Sequence, residues 1–115
     1  MNEVRSTAHR ERVMLPVGVE DTKANAIYRE AEVRAVTAGD ELYIGTYPDY
    51  NKFPNDLVYK TLLLGRTVTR IGPKTPITVD DIKRLHVVDI RALELAVYRI
   101  TYGDGVVPET PGPGG

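Results

Sequence analysis

The sequence contains no cysteine among its 115 residues. Without a thiol, the chain can form no disulfide, no thiolate nucleophile and no thiolate metal site. It also lacks an apolar run near the roughly 20 residues that a membrane-spanning helix needs. Its N-terminal residues 1–11 are charged throughout rather than signal-like. These absences predict a soluble, cytoplasmic protein that contacts no membrane.

An excess of charge of one sign is also missing, since 15 basic residues oppose 16 acidic ones and the net charge is −1. This balance argues against a general attraction to nucleic acid or to an anionic membrane. The composition is typical of a globular protein, and a chain of this length can bury one core. We therefore expect a single domain over residues 12–105. A flexible arm, 1–11, precedes it, and a Pro/Gly-rich tail, 106–115, follows it and cannot build a core of its own.

The N-terminal half of the domain has the pattern of a β-hairpin. Residues 13–19 are mostly apolar, and Pro16, which cannot donate a ladder hydrogen bond, restricts this segment to a sheet edge or a strand end. Residues 18–26 have turn composition. The next segment alternates, with apolar Ile27, Ala31, Val33 and Ala35 on one side and charged Glu30, Glu32 and Arg34 on the other. This period of two predicts a half-buried second strand.

A short helix and an aromatic segment follow the hairpin. Thr37 and Asp40 have the spacing of a capping box, which predicts a helix that starts there and continues through Ile44. Residues 47–54 have loop composition, and two interpretations of their aromatic side chains stay open. Tyr47, Tyr50 and Phe53 belong either to a packed surface loop or to a contact patch for a partner.

The next helix is predicted to start after Asn55 or Asp56 and to reach Ile71, because Gly72 and Pro73 would end it there. Its apolar stripe consists of Leu57, Thr61, Leu64, Val68 and Ile71. This stripe is expected to face the core. Leu63 falls on the opposite, charged face and is expected to be exposed.

Two more helices are predicted near the C-terminus. Thr78 and Asp81 form a second capping box for a short helix over residues 79–85. The last helix starts at Val88 or Asp89 and ends near Tyr102. Its core-facing arc consists of Ile90, Leu93, Ala96, Val97 and Ile100. A second apolar stripe, flanked by Arg91 and Arg99, consists of Leu95, Tyr98 and Tyr102. A helix with two apolar stripes has two surfaces to bury.

Together these elements predict an α+β fold. A small N-terminal β-hairpin or sheet is followed by three to four packed helices, with extended N- and C-terminal arms. No arrangement of residues indicates catalysis, since His9 and His86 are isolated and Asp80 and Asp81 are explained by the first turn of a helix. No glycine cluster has the spacing of a phosphate-binding loop. We expect no enzymatic activity, no cofactor and no metal.

A DNA-binding regulator is the alternative function. The two C-terminal helices could form a helix-turn-helix-like element, in which Lys83, Arg84, Arg91 and Arg99 would contact phosphates. The stripe formed by Leu95, Tyr98 and Tyr102 is a poor surface for base edges, and the net charge is unfavourable. The patterns therefore disfavour nucleic acid as a partner.

Several segments resemble the small tail-assembly and baseplate proteins of contractile-tailed bacteriophages and related contractile injection systems. The similarity lies in LPVGVED and VRAVTAGDE, in LLLGRTVTRIG, and in TPITVDDIKRLHVVDIRALELAVYRITYGD. The matching positions are Leu15 with Pro16, and residues 37–41, 70–72, 82–93 and 102–104. Some members of that family carry cysteines after the closing Gly-Asp. Val106, Val107 and Pro108 stand there in this chain, so the resemblance implies no zinc site.

The resemblance implies a non-enzymatic structural or assembly protein of a phage-type tail, at the baseplate or as a tail assembly chaperone. Its partners would be other tail or baseplate proteins, tube proteins, tape-measure proteins or further copies of itself. Such a protein works in the bacterial host cytoplasm during assembly, and it is either transient or retained in the virion tail. The candidate partner-binding residues are Tyr47, Tyr50, Phe53, Leu63, Arg91, Leu95, Tyr98 and Tyr102.

Overall fold

The fold of the protein is given by a computed structural model, which describes residues 9–103. This part of the chain contains a three-stranded antiparallel sheet and five helices, so the predicted α+β class is confirmed. The predicted tail, 106–115, and residues 1–8 of the predicted arm lie outside the described residues. Arg10 and Glu11, which were assigned to the arm, belong to the first strand instead.

The sheet consists of β1 (Arg10–Asp21), β2 (Ala26–Arg34) and β3 (Val68–Ile71), in the order β1-β2-β3. The predicted hairpin of the first two strands is confirmed. β1 is longer than the predicted 13–19, and β2 lies one residue earlier than the predicted alternation from Ile27 to Ala35. The pairing of β1 with β2 shifts register between Met14 and Val19. Pro16 lies within this irregular stretch of an edge strand, where its missing N–H breaks no ladder bond.

The helices are α1 (Ala38–Gly45), α2 (Pro48–Lys52), α3 (Asp56–Thr67), α4 (Val79–Lys83) and α5 (Val87–Tyr102). Both predicted capping boxes form, with Thr37 bonded reciprocally to Asp40 and Thr78 to Asp81. Local capping chemistry therefore placed the starts of α1 and α4 correctly. The end of α4 was predicted two residues too late.

The predicted helix from residue 56 to Ile71 is wrong in its last turn. α3 stops at Thr67, and the following four residues form β3, which pairs with β2. Val68 and Ile71 are buried, as the helical projection required, but they are buried as strand residues. A register shift in the pairing with β2 turns both side chains toward the core, so their spacing of three imitates a helix.

Residues 47–54 also differ from the prediction, because their centre is the short helix α2 rather than a loop. Pro48 stands at its first position, where a missing N–H costs nothing and the fixed φ favours a helix. The proline that suggested a loop in the sequence thus starts a helix in the structure.

The core lies between one face of the sheet and the helices packed on it, chiefly α5. Its buried apolar side chains are Val13, Leu15, Ala31, Val33, Leu64, Val68, Ile71, Ile77, Ile82, Leu93, Ala96, Val97 and Ile100. The predicted inner arc of α5 is confirmed, with Ile90 partly buried against this core. In α3 the prediction fails at Leu57, which is 65% exposed, whereas Leu62 is buried.

Two buried carboxylates join distant parts of the chain. Asp89, in the first turn of α5, accepts hydrogen bonds from the backbone N–H groups of Val17 and Gly18, each at 2.9 Å. These donors lie in the irregular stretch of β1, where they would otherwise lack partners. Asp89 thereby ties the start of α5 to the edge strand that the helix covers.

Asp40 makes the second junction. Arg34 of β2 donates two hydrogen bonds of 2.8 Å to its carboxylate, and Arg66 of α3 donates a third at 3.1 Å. Burial alone would raise the pKa of Asp40, but the bonds from Arg34, Thr37 and Arg66 hold it well below its usual range. The capping residue of α1 is therefore also the anion that holds α1 against β2 and α3.

Candidate protein-interaction surface

The surface of interest begins on α5, whose boundaries are set by its own sequence. His86 precedes the helix, and its Nδ1 accepts a hydrogen bond from the Val88 N–H at 3.1 Å. His86 is therefore the N-cap of α5, which begins at Val87, one residue before the earlier of the two predicted starts. Gly103 ends the helix with φ at 100°, a left-handed value that favours glycine. Sixteen residues between these caps present both predicted stripes.

The second stripe of α5 points away from the core. Leu95 is 42% exposed and Tyr102 is 64% exposed, while Tyr98 is half-buried. The rings of Tyr98 and Tyr102 pack at 4.7 Å between centroids. The inner arc of the same helix is closed against the sheet, so these three residues form an apolar surface in addition to the core.

Tyrosines from two other helices extend this surface. Tyr59 of α3 packs edge-on against Tyr50 of α2, with 6.2 Å between ring centroids. The Tyr59 hydroxyl donates to Glu41 at 3.3 Å. Its pKa is raised first by partial burial, then by Glu41, and then by Tyr102 and Tyr50. α3 packs against α5, which brings Tyr59 to the side of the α5 stripe. We call Tyr50, Tyr59, Tyr98 and Tyr102 the tyrosine cluster.

Charged groups border the tyrosine cluster along α5. Arg91 donates to Glu94 at 3.0 Å, and its own side chain is largely exposed. The second carboxylate oxygen of Glu94 is buried and has no hydrogen-bond partner within residues 9–103. Arg91 lies one helical turn before Leu95, so a partner that covers Leu95 would also meet the pair of Arg91 with Glu94.

The remaining predicted contact residues are not all part of this surface. Phe53, which follows α2, is 70% exposed. Leu63 is half-buried rather than exposed, one turn after Tyr59 on α3. Tyr47 lies elsewhere: its ring packs against Tyr43 at 5.7 Å and lines a separate cleft. The structure therefore joins Tyr50 to the α5 stripe and separates Tyr47 from it.

Sequence reasoning missed the half-buried Tyr59 as a candidate, along with the exposed Leu42 and Leu57. Tyr59 was assigned to the charged face of α3, and its position four residues before Leu63 was the available signal. Leu57 was placed in the core because it shares the projected stripe with Leu64, but it lies in the first turn of α3 and is exposed.

The separate cleft lies between α1, α3 and α4 and has a volume of about 430 Å³. Tyr43 and Tyr47 form one wall, and the guanidinium of Arg66 stacks 4.4 Å from the Tyr43 ring centroid. Lys83 lines the opposite side, from α4. α3 and α4 approach closely at Gly65, where an added Cβ would lie 2.9 Å from the Val79 side chain.

The His9 ring hydrogen-bonds Glu11 at 3.4 Å, in an exposed position. Over residues 9–103, no group of three or more histidine, aspartate or glutamate side chains could hold a metal ion. None of the helices in this part of the chain is long and apolar enough to cross a membrane.

The fold and this surface define a mixed α+β protein that presents an aromatic surface on three of its helices. No family model, curated protein or solved structure matches the chain.

Proposed function

We propose that the protein is a non-enzymatic structural or assembly protein of a phage-type contractile tail. It acts at the baseplate or as a tail assembly chaperone, through protein–protein contacts. The observation that carries this proposal is the tyrosine cluster, which lies with Leu95 outside an already closed core. The partners are other tail or baseplate proteins, tube proteins or tape-measure proteins.

The side-chain types on this surface support a binding role. Tyrosine buries a large apolar ring with few rotatable bonds and keeps a hydroxyl for hydrogen bonding, so it is enriched where protein interfaces are strongest. Arginine is enriched at the same places, and Arg91 lies beside Leu95 on α5. An assembly protein needs such a surface and needs no catalytic group.

The assignment to a contractile tail depends on the sequence resemblance. The segments that carry it coincide with structural junctions: the T-A-G-D segment supplies Asp40, and V-V-D-I supplies Asp89. These carboxylates fix α1 and α5 against the sheet, so the similar positions are ones that hold the fold together.

The test is binding to the tail proteins encoded in the same genome. The purified chain is mixed with the tube, tape-measure and baseplate proteins separately, and each dissociation constant is measured by calorimetry. We expect one of them to bind, and we expect Leu95→Ala with Tyr102→Ala to weaken that binding at least about tenfold, a loss typical of central aromatic contacts. Ile27→Ala, a change of an exposed apolar side chain on β2, is the control and should leave the affinity unchanged.

Absence of binding to all of these proteins would contradict the proposal. Salt-sensitive binding to duplex DNA, lost on Arg91→Ala and Lys83→Ala, would replace it with the regulator alternative.

A further inference from the structure

The cleft between α1, α3 and α4 has the chemistry of a peptide-binding site. Tyr43 and Tyr47 hold their rings 5.7 Å apart at an interplanar angle of 47°, which leaves an angled aromatic wall. Arg66 is fixed on this wall, because its Nε donates to buried Asp40 while its guanidinium stacks on Tyr43. These two contacts hold Arg66 in place without a ligand, and a side chain that is already ordered lowers the entropy cost of binding.

The opposite side of the cleft carries an available cation. Lys83 is exposed at the end of α4 and forms no ion pair with the described residues, whereas Lys74 of the preceding segment is already bonded to Asp81. Asp80 is the acidic side chain that lines the cleft. An aromatic wall facing a lysine suits an extended apolar segment that carries a carboxylate.

We propose that this cleft binds a proline-rich acidic segment, and that the occupant is the tail of the same chain, residues 106–115. That segment reads VVPETPGPGG and contains Pro108, Pro111 and Pro113, with Glu109 as its single charged side chain. Proline rings stack on aromatic walls, and their fixed φ reduces the conformational entropy lost on binding. The negative charge of Glu109 is complementary to the positive charge of Lys83.

The covalent connection allows this contact. The C-terminal end of α5, from which the tail continues, lies near the start of α1. The Val36 N–H donates a hydrogen bond to Thr101 Oγ1 there, at 3.0 Å. Tyr43 lies six residues along α1 from Thr37, a rise of about 9 Å. Ten residues at about 3.1 Å each span roughly 31 Å in an extended proline-rich conformation. An intramolecular ligand also has an effective concentration near the millimolar range, which fills even a weak site.

The inference is independent of the tail-assembly proposal, since no member of the tyrosine cluster lines the cleft. Nuclear magnetic resonance on the full chain tests it. Replacing the three tail prolines by alanine should shift the amide signals of Tyr43, Tyr47, Gly65 and Lys83, because the cleft empties. A free peptide of residues 106–115, added to this variant, should return these signals toward their original positions.

Charge reversal tests the pairing of Glu109 with Lys83. Lys83→Glu or Glu109→Lys alone should lower the ratio of occupied to empty cleft by about threefold or more, as expected for one ion pair converted to a repulsion. The combined reversal should restore that ratio. Lys23→Glu, in the exposed hairpin turn, is the control and should change nothing.

Three results would overturn the proposal: unchanged cleft signals in the proline variant, no response to the peptide, or no rescue by the combined reversal. Dilution identifies the occupant. Signals that are constant over a tenfold dilution support binding within one chain, whereas signals that move with concentration would assign the tail to a neighbouring copy and refute the intramolecular contact.

Discussion

Asp89 shows how one side chain can hold a junction that no local pattern reveals. Its carboxylate satisfies the N–H groups of Val17 and Gly18, and Gly18 has φ at 92°, a left-handed value at which a side chain would also collide with Arg29. In the sequence, Asp89 looked like an ordinary residue of a first helical turn. Its partners are 71 and 72 residues away, so spacing rules could not connect them.

Asp89→Ala should lower the free energy of unfolding by about 2–3 kcal/mol, because two backbone N–H groups lose charged acceptors in a buried place. Urea denaturation measures this change. Asp80→Ala, an exposed carboxylate in the first turn of α4, is the matched control and should cost less than about 1 kcal/mol. Equal losses in the two variants would show that the Asp89 junction contributes nothing beyond a helix-terminal charge.

Asp40 was predictable as a cap but not as the centre of an ion-pair network. The capping box needed only Thr37 and Asp40 three residues apart, whereas Arg66 comes from α3, 26 residues later. Local hydrogen-bond chemistry is readable from spacing, while the choice of arginine partners depends on how helices pack. The start of α1 was therefore predicted, whereas the contacts that hold it against β2 and α3 were not.

The depressed pKa of Asp40 has a definite consequence for acid stability. A carboxyl whose folded-state pKa is lowered contributes stability above its unfolded-state pKa, about 3.9, and loses it as the pH falls toward the folded-state value. Asp40→Asn should therefore cost about 3 kcal/mol at neutral pH, since Arg34 is left without its counterion. The difference from the unsubstituted protein should narrow below about pH 4.

Urea denaturation at a series of pH values checks this expectation. Asp56→Asn removes an exposed pair with Lys60 and should change the free energy of unfolding by less than about 1 kcal/mol at every pH. A constant penalty for Asp40→Asn from neutral to acid pH would mean that its charge is not what stabilises the fold.

Among the secondary-structure elements, the change from α3 to β3 shows where hydrophobic periodicity fails to distinguish a helix from a strand. Leu64, Val68 and Ile71 share a helical stripe, yet the last two belong to a strand. β-branched residues fill positions 67–69 and 71, which favours a strand, and the free edge of β2 supplies the hydrogen bonds. The sequence contained the β-propensity, but only the position of β2 decides whether a strand can form there.

Gly65 controls how closely α3 and α4 pack, and this gives a prediction about the pair of elements. Gly65→Ala places a methyl group 2.9 Å from the Val79 side chain, so it should destabilise the fold by about 1–2 kcal/mol despite the better helix propensity of alanine. Adding Val79→Ala to Gly65→Ala should recover part of the lost stability, because the smaller side chain leaves space for the new methyl group.

Thermal unfolding of the single and double variants measures the coupling. Gly45→Ala, at the end of α1 where an added Cβ meets nothing within 4 Å, should be neutral or slightly stabilising. If Gly65→Ala behaved like Gly45→Ala, the contact between α3 and α4 would be looser than the structure requires.

At the scale of the whole molecule, three strands and five helices in residues 9–103 close one core and leave the tyrosine cluster outside it. The two stripes of α5 were readable from the sequence because a long helix has a regular period. The contribution of Tyr59 was not, since it depends on the packing of α3 against both α2 and α5. The stripe of Leu95, Tyr98 and Tyr102 follows from the period of one helix, whereas the addition of Tyr59 follows from tertiary packing.

Leu93 and Leu95 separate the two roles of α5 with the same chemical change. Leu93 is fully buried against the sheet, whereas Leu95 is 42% exposed beside the tyrosine cluster. Leu93→Ala should lower the free energy of unfolding by about 3 kcal/mol through lost burial and the cavity it leaves. Leu95→Ala should cost less than about 1 kcal/mol, because much of its side chain is already in water.

The partner-binding measurement should show the opposite order. At a temperature where both variants are folded, Leu95→Ala should weaken association with the phage-tail protein that binds the chain. Leu93→Ala should leave this association nearly unchanged, because the inner arc of α5 is buried against the sheet. Denaturation curves and dissociation constants from the same preparations give the comparison. A large loss of stability in Leu95→Ala would place its stripe in the core and remove the basis for an interaction surface on α5.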